Sequence, residues 1–555
     1  MMKASEFHIL DYLINHSKNM PEKIFCFFRT GAAYNQITYG DLLKKSATFG
    51  NYFKNAGIVK GDVVLIMLKH CPEMYFSYIG AMLAGAVPSF IPPLTEKQDS
   101  SIFWSSHDVL FRRIEAKALV LSRLHEDMVK ANLKEVPTVI AVNDISDSTE
   151  TGNYDIQRYP LALLQHSSGT TGLKKGVELS HKAIIEQVVR YSDALGLEPS
   201  DRFASWLPLY HDMGLIACFL LPLIKGLSIV SQDAFEWVSN PVILLEDIDA
   251  YRCTHAWLPN FAFHHILRFL HSEQSYNLSS LKALIDCSEP CKPFTASMFM
   301  KEIERMGCSP AVFQTCYAMA ETVFAVTQTD LHRPPSVIRT DKDSFQTHQR
   351  IKLCESNSLE FISCGRPISG MTVRIADETG RTLNAGQVGE IVVSGPCLFD
   401  GYFRLPEKSA ERLKGGEYYT HDLGFIHDEE LYVTGRVDDL IIIYGKKFYA
   451  HDIEFIANQC AGIAKGRCVA IAMENQMAGS QEIVLLAETD ETQAETRKNI
   501  MLELKRQLLA QMGLAIQRIV LLEKGHLVKT TSGKISRDMN RKNYIQSLQA
   551  AGAMA

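Results

Sequence analysis

The chain has 555 residues, of which 46% are hydrophobic, and so many hydrophobic residues exceed what a single core usually holds. Its net charge of −6 argues against a nucleic-acid-binding protein, and thirteen cysteines without a CxxC pair indicate reduced cytoplasmic thiols. The longest apolar segment, residues 213–224, is far shorter than the roughly twenty residues of a membrane span. We therefore expect a cytoplasmic globular protein with two or more domains.

The predicted elements alternate between apolar strands and helices along much of the chain. The strand patterns are VVLIML from Val63, AKALVLS from Ala116, TVIAV from Thr138, FASWLP from Phe203, LSIVSQ from Leu227, THAWLP from Thr254 and LKALIDCS from Leu281. This alternation predicts an α/β fold with layered subdomains. From about Gly365, strand patterns separated by turn residues predict a β subdomain. The composition shifts after Arg436, which predicts a separately folded piece over residues 437–555.

The most informative segment is SSGTTGLKKGVELSH, residues 167–181. Hydroxyl side chains donate hydrogen bonds, glycines let backbone amides approach an anion, and lysine adds positive charge, so the segment is typical of a polyphosphate-binding loop. The residues concerned are Ser167, Ser168, Gly169, Thr170, Thr171, Gly172, Lys175 and Gly176. An apolar run precedes the loop and a helical pattern follows it, so we expect the loop to connect a strand to a helix. A Ser/Gly-rich surface loop is the alternative.

Other nucleotide and hydrolase motifs do not occur in the sequence. There is no Walker A loop, since Gly533-Lys534 is followed by Ile535 rather than by Ser or Thr. There is also no GxGxxG dinucleotide fingerprint and no GxSxG nucleophile elbow. The sequence therefore disfavours P-loop phosphoryl transfer, hydride transfer and serine hydrolysis.

Six motifs occur in the order that characterises adenylate-forming enzymes. They are the loop above, LPLYHDMGLI from Leu207, YAMAETVFA from Tyr317, YYTHDLGF from Tyr418, GRVDDLI from Gly435 and KTTSGKISR from Lys529. The chain resembles this superfamily, which includes acyl-CoA synthetases, peptide-synthetase adenylation domains and luciferase-like enzymes, over nearly its whole length. The resemblance implies a large AMP- and acyl-binding domain over residues 1–436 and a small mobile α+β domain over residues 437–555.

The resemblance also implies roles in joining a carboxylate to the α-phosphate of ATP. Thr170, Thr171 and Lys175 would hold the β- and γ-phosphates, and Glu321 would bind Mg²⁺, a cation that prefers oxygen ligands. The nucleoside would contact Ser288, Glu289, Pro290, Tyr317, Ala318, Met319, Ala320, Asp422 and Arg436. Lys534 would be the catalytic lysine that bridges the carboxylate and α-phosphate oxygens. His211 would gate the acyl site, and Asp438 would be the hinge.

Several of these residues also have a structural interpretation. Tyr317 fits a core tyrosine, His211 a structural histidine, Glu321 a surface carboxylate and Asp438 an aspartate in a turn. Lys529 lies outside the Gly-Lys position and fits a solvated charge better than a catalytic group.

The interval between Glu321 and Gly365 is longer than in ordinary acyl-CoA synthetases. The extra segment, about residues 331–359, resembles the insertion of the fatty acyl-AMP ligases, which restrains the small domain so that an acyl carrier protein, rather than coenzyme A, accepts the acyl group. The unusual segment YGKKFYAHDIE, from Tyr444, leaves this acceptor open. An acyl-CoA synthetase is the alternative, and a catalytically silent acyl-nucleotide binding module is a third hypothesis.

Large apolar residues flank the motifs near which relatives form an acyl tunnel. They are Trp206, Met213, Trp257, Phe261 and Phe263, and each also fits a core position. These residues favour a medium- or long-chain fatty acid over an amino acid, but tunnel depth depends on packing. We expect ATP and Mg²⁺ as cofactors, a fatty acid and an acyl carrier protein as partners, and a monomer or weak dimer.

Overall fold

The computed structural model describes residues 8–95, 100–146, 156–167, 175–271, 273–475, 480–529 and 535–550. Its first part consists of α1 (Ile9–Asn19), β1 (Ile24–Thr30), β2 (Ala33–Thr38), α2 (Tyr39–Asn55), β3 (Val63–Met67), α3 (Glu73–Leu83), β4 (Val87–Phe90), α4 (Ser100–Ile114), β5 (Ala118–Leu121), α5 (Glu126–Asn132) and β6 (Thr138–Ala141). Strands β3 to β6 form a parallel sheet in the order β4-β3-β5-β6. The completely buried β3 and β5 have apolar residues at every position, as expected for a parallel sheet covered on both faces.

The second part contains the largest sheet. Its elements are β7 (Leu161–Ser167), β8 (Lys175–Ser180), α6 (His181–Ala194), β9 (Arg202–Ser205), α7 (Leu221–Lys225), β10 (Ser228–Ser231), α8 (Ala234–Ser239), α9 (Ile243–Tyr251), β11 (His255–Leu258), α10 (Asn260–Phe269), β12 (Ala283–Asp286), α11 (Pro293–Ile303), β13 (Phe313–Ala318) and β14 (Ala325–Gln328). A π-helix, Met213–Leu220, precedes α7. In the described chain, β10, β9, β11, β12 and β13 are neighbouring parallel strands. The predicted α/β layering is therefore confirmed.

Two hydrophobic cores cover the opposite faces of this sheet. Phe203 and Trp257 face one core, whereas Ala204 and Leu258 face the other. Successive residues of a strand point to opposite faces, so a difference of one position decides which core a side chain joins. The carboxyl ends of these strands lead into the segments that carry the predicted nucleoside-binding residues.

The polyphosphate loop does not connect a strand to a helix, and that expectation is wrong. β7 and β8 flank the loop and pair antiparallel, with Gln165 opposite Val177. Residues 175–180 alternate in burial, which suits a strand, and α6 begins only after Ser180 has capped its first turn. The loop itself, residues 168–174, lies outside the described residues.

The third part is rich in strands, as predicted. It comprises β15 (Val337–Asp341), α12 (Lys342–His348), β16 (Ser358–Ile362), β17 (Arg366–Pro367), β18 (Thr372–Ala376), β19 (Gly389–Ser394), β20 (Gly401–Tyr402), α13 (Pro406–Arg412), β21 (Leu413–Lys414), β22 (Glu417–His427) and β23 (Glu430–Arg436). β18, β19, β22, β21 and β23 form an antiparallel sheet. β20 pairs instead with β8, so this part also supports the polyphosphate loop.

The last part follows Arg436. It consists of β24 (Leu440–Ile443), β25 (Lys446–Tyr449), α14 (Ala450–Gln459), β26 (Cys468–Asn475), β27 (Ser480–Glu488), α15 (Ala494–Met512), β28 (Arg518–Leu522) and α16 (Arg537–Ala550). Ile453, Leu485 and Leu504 belong to a core formed entirely by this part. Among the residues that the structure describes, no helix is both long and apolar enough to cross a membrane.

Candidate active site

A carboxylate with two hydrogen-bond donors lies at the end of the antiparallel sheet. The Tyr317 hydroxyl donates to Asp422 Oδ2 at 2.6 Å, and Arg436 Nε donates to Asp422 Oδ1 at 2.7 Å. β22 and β23 set this geometry, because Asp422 and Arg436 are direct partners across the pair. The structure thus brings together three residues that the sequence predicts to bind the nucleoside.

The pKa values of both hydrogen-bond donors, Arg436 and Tyr317, are raised. The negative charge of Asp422 raises the pKa of Arg436, and burial together with Asp422 raises the pKa of Tyr317. Both groups therefore remain donors at neutral pH. Tyr317 is 8% exposed, which is also expected of a tyrosine in the core. Its hydroxyl, however, donates a hydrogen bond to Asp422, which is a predicted nucleoside-binding residue.

A second group surrounds Glu321. The Tyr402 hydroxyl donates to Glu321 Oε1 at 2.9 Å, and the Phe399 amide donates to the Glu321 carbonyl at 2.9 Å. Lys175 Nζ lies 4.8 Å from the centroid of the Tyr402 ring, which is cation–π distance. Tyr402 therefore contacts both the predicted metal ligand and the predicted phosphate-binding lysine.

Tyr402 was not predicted as a functional residue. It is 4% exposed, and burial followed by the nearby Glu321 charge raises its pKa, so the hydroxyl stays protonated. The two-residue strand β20 places it opposite Val177, next to the exit of the polyphosphate loop. The Gly-Tyr pair that ends LFDGY is the available sequence signal, and its meaning depends on that long-range pairing.

The predicted adenine-binding segment lies at the carboxyl end of β12. Ser288 has a φ of 68°, a conformation that costs a non-glycine residue energy and that sharply turns the chain. Glu289 Oε2 accepts a hydrogen bond of 3.1 Å from the Phe261 amide, at the start of α10. Ser288 and Pro290 are exposed, so they are accessible to a ligand.

The Ala318-Met319-Ala320 stretch connects β13 to Glu321. Ala320 is buried, whereas Ala318 and Met319 are half-buried beside Tyr317. This short link keeps Tyr317, a predicted nucleoside-binding residue, close along the chain to Glu321, the predicted metal ligand.

His211 lies directly before the π-helix. Its carbonyl accepts from the Leu215 amide at 2.8 Å, and Asp212 Oδ1 accepts from the Met213 amide. The Gln165 side chain of β7 donates to the neighbouring Tyr210 carbonyl at 2.9 Å. His211 therefore lies next in sequence to a residue that contacts the strand entering the polyphosphate loop, and its gating role remains a prediction.

The turn that contains the predicted hinge residue Asp438 is connected to the start of α16 through Arg537. Asp438 is exposed in a single turn, Val437–Asp439, between β23 and β24. The next residue, Asp439, accepts from Arg537 Nε at 2.9 Å, and Arg537 also pairs with Glu454 of α14. Lys534 lies outside the described residues, and Arg537, three positions after it, is bonded to the turn that contains the predicted hinge.

Comparison with known proteins identifies the family. The sequence pattern of the AMP-binding enzyme family matches residues 14–403. The chain belongs to the AMP-binding enzyme family. It is 26% identical to the medium-chain-fatty-acid–[acyl-carrier-protein] ligase JamA of Moorena producens, over 98% of this chain and 96% of JamA. It is 28% identical to the long-chain-fatty-acid–AMP ligase FadD32 of Mycolicibacterium smegmatis, over 89% and 87%.

A solved structure agrees with this placement. A fatty acyl-adenylate ligase from work on the E. coli and L. pneumophila enzymes superimposes with a TM-score of 0.89 at 25% identity, covering 99% of this chain and 100% of that one. The predicted resemblance to the adenylate-forming superfamily is therefore confirmed for this AMP-binding enzyme.

The predicted insertion of this AMP-binding enzyme folds as a pair of strands and a helix. β15 and β16 pair antiparallel, with Arg339 opposite Glu360, and α12 lies between them in sequence. Phe345 of α12 is 2% exposed, and its ring lies 4.9 Å from Phe361 and 6.3 Å from Tyr449, which follows the predicted domain boundary. The structured unit extends to Ile362, slightly beyond the predicted residue 359.

Two polar contacts accompany this packing. Gln346 Nε2 donates to the Met512 carbonyl at 3.2 Å, and Lys446 Nζ pairs with Asp343 at 2.8 Å. The insertion helix therefore contacts β25 and the end of α15, which both belong to the chain after Arg436.

The predicted acyl-pocket residues divide between the two faces of the large sheet. Trp206 stacks on Trp237 with centroids 3.7 Å apart, and Phe261 lies at 6.1 Å from Trp206. Trp257 and Met213 belong to the opposite core, where Trp257 Nε1 donates to the Tyr191 hydroxyl at 2.9 Å. Trp206 and Trp257 therefore do not line one common pocket.

Some predicted site residues cannot be placed. Ser168, Gly169, Thr170, Thr171 and Gly172 lie outside the described residues. Ser167 ends β7, but its side chain also lies outside the description. Their phosphate-binding roles remain predictions.

Proposed function

We propose that this chain activates a medium- or long-chain fatty acid with ATP and transfers the acyl group to an acyl carrier protein. The fatty carboxylate attacks the α-phosphate of ATP, giving acyl-adenylate and pyrophosphate. The carrier thiol then attacks the acyl carbonyl, giving a thioester and AMP. The observation that carries the proposal is the convergence of Tyr317 and Arg436 on Asp422 in an AMP-binding enzyme.

Asp422 is the group we assign to the ribose. A carboxylate accepts hydrogen bonds from two neighbouring hydroxyls, and Tyr317 and Arg436 hold it in a fixed orientation. The Tyr317 ring is the proposed platform for adenine, together with the Ser288-Glu289-Pro290 segment.

Glu321 fits a magnesium ligand. Mg²⁺ in nucleotide sites is held by one or two carboxylates together with phosphate oxygens, and Tyr402 binds one Glu321 oxygen so that the other has a fixed direction. When bound, Mg²⁺ would neutralise phosphate charge. Lys175, held over the Tyr402 ring, would add a second positive charge at the β- and γ-phosphates.

We further propose that residues 437–555 form a small domain that rotates at Asp438 and carries catalytic Lys534. The separate core around Ile453, Leu485 and Leu504 supports this division. Arg537 supports the coupling of Lys534 to the hinge, because its partners lie on the hinge turn and on α14. A cytoplasmic monomer or weak dimer remains a prediction.

The preference for a carrier protein rests on the insertion. Phe345 and Gln346 contact residues of the proposed small domain, and such contacts oppose its rotation into a conformation that admits coenzyme A. JamA, a relative over nearly the whole chain, is named for transfer to an acyl carrier protein.

The decisive experiment combines the protein, Mg²⁺-ATP and a medium- or long-chain fatty acid, with and without coenzyme A. Mass spectrometry separates acyl-AMP from acyl-CoA. Acyl-AMP that persists despite coenzyme A, and is consumed by an acyl carrier protein, is the expected result. Rapid conversion to acyl-CoA would identify an acyl-CoA synthetase, and no acyl-AMP at all would leave a silent binding module.

A further inference from the structure

Ser409 of helix α13 connects this helix to Tyr402 through a hydrogen bond. The Tyr402 amide donates to Ser409 Oγ at 2.8 Å, and Ser409 Oγ donates to the Leu405 carbonyl at 3.0 Å. The face of α13 that carries Ser409 is therefore packed against Tyr402, whose ring holds the Lys175 ammonium.

Two cations lie on or beside that face of the helix. Arg412 follows Ser409 by three positions and therefore shares its face, whereas the exposed Lys408 is four positions before Arg412 and borders that face. Arg412 has a side chain that is 17% exposed and contacts the more exposed Glu411 at 3.5 Å. Arg412 is thus a partly shielded cation with a second cation four positions away, an arrangement that an anionic ligand would stabilise.

The charges influence the neighbouring groups. The pKa of Lys175 is lowered by burial and then by the positive charges of Lys408 and Arg412. The pKa of His421, the residue before Asp422, is lowered by burial and then by Arg412. The geometry agrees, because α13 contacts both β20, which pairs with the strand that leaves the polyphosphate loop, and β22, which carries Asp422.

We propose that Arg412 and Lys408 of α13 form, with Lys175, a three-cation site for the terminal phosphates of the nucleotide and for the pyrophosphate that is released. This inference rests on the proposed function, which assigns only Lys175 of the three to phosphate. Mutual repulsion among three cations is relieved by a ligand with several negative charges, and arginine binds phosphate oxygens in a forked geometry. A polyphosphate meets both conditions.

The arrangement also separates the two ends of the nucleotide. Asp422, Tyr317 and Arg436 lie at the proposed nucleoside end, whereas α13 contributes charge at the phosphate end. Loss of an α13 cation should therefore weaken binding of pyrophosphate without weakening binding of AMP to the same degree.

Isothermal titration calorimetry with inorganic pyrophosphate and with AMP as probes tests the inference on the full chain. Arg412→Gln should weaken pyrophosphate binding about tenfold or more, since one charge-assisted contact to phosphate is lost, while AMP affinity stays within about twofold. Lys408→Gln should have a smaller effect because Lys408 is more exposed. Arg412→Lys should restore part of the affinity, which a purely structural role would not predict.

Lys414→Gln is the matched control, because it removes the same charge two positions further along, where the side chain lies over Tyr419. It should bind pyrophosphate like the unmodified chain. Pyrophosphate affinity that is unchanged in a folded Arg412→Gln variant, or equally weakened in Lys414→Gln, would overturn the inference. Acyl-AMP formation by the unmodified chain separates the outcomes: if it occurs, only the α13 assignment fails, and if it does not, the proposed function itself fails.

Discussion

Replacing Phe345 by alanine should increase transfer to coenzyme A by loosening the insertion from the proposed small domain. Phe345 is almost fully buried between Phe361 of the insertion and Tyr449. Gln346 and Asp343 on the same helix make the two polar contacts to that domain. Phe345 is the largest apolar side chain of α12 at this contact, so its removal is the sharpest single perturbation.

The expected magnitude follows from the buried surface. Burying a phenylalanine contributes about 1.5–3 kcal/mol, and its apolar neighbours here come from both sides of the proposed boundary. If about half of the lower value falls on the interdomain contact, the loss is about 0.8 kcal/mol. Such a change shifts a two-state equilibrium roughly fourfold toward the released state.

The assay is the ratio of acyl-CoA to acyl-AMP after reaction with Mg²⁺-ATP, fatty acid and coenzyme A. Phe345→Ala should raise this ratio about fourfold. Asp343→Asn removes only an exposed ion pair with Lys446, which solvent screens strongly, so its ratio should change by less than about twofold. Acyl-AMP formation without acceptor checks that each variant is folded. A folded Phe345→Ala variant with an unchanged ratio would refute the restraint.

Three further predictions concern the nucleotide site and the fold. Asp422→Ala should weaken AMP binding about 100-fold in calorimetry, because the two contacts to ribose are lost, whereas Tyr317→Phe keeps the ring and should cost about tenfold or less. Lys534→Ala should lower ATP–pyrophosphate exchange by about two orders of magnitude with ATP binding largely intact, while Lys529→Ala should leave exchange unchanged. Burial lowers the pKa of His8 from 6.5 to about 4, so the unfolded chain takes up the proton first as pH falls. The free energy of unfolding should therefore fall by up to about 3 kcal/mol between pH 6.5 and 4, and urea titrations should show a smaller fall for His8→Asn.

The sequence predicted the layered fold because its central strands are predominantly apolar, with β3 entirely so and a single polar residue, His255 or Asp286, in each of β11 and β12. β3, β11 and β12 are buried at every position, and buried parallel strands have this composition. β8 escaped prediction since its residues are mixed, and it is stabilised by pairing with β7 and with the distant β20. Long-range pairing of this kind leaves no local pattern, so the polyphosphate loop was assigned to a strand–helix connection.

In the site, too, residues within sequence motifs were predicted, whereas residues whose role depends on tertiary contacts were not. Asp422, Arg436 and Tyr317 could be selected because each lies within a motif of fixed order. The apolar pocket had no such guide: Trp206 and Trp257 are both large and both near motifs, but strand alternation sends them to opposite faces. Tyr402 was missed because its role depends on a hydrogen bond to Glu321 across 81 positions of sequence.

Contacts within the proposed small domain, and between it and the rest of the chain, indicate how its rotation at Asp438 is restrained and how the acceptor is selected. Arg537 joins Asp439 and Glu454, so the proposed hinge turn, α14 and the start of α16 are linked within the proposed small domain and would move together. Rotation of that body must break the Lys292–Asp452 ion pair, which is 2.5 Å long and largely shielded from solvent. It must also separate α12 from β25 and α15. Lys292 lies two positions after the segment proposed to bind adenine, so this ion pair couples domain position to the nucleoside site, while the insertion adds a further contact that rotation must break. Removing the insertion contact alone should therefore favour coenzyme A as acceptor, whereas removing Lys292 should change nucleotide affinity as well.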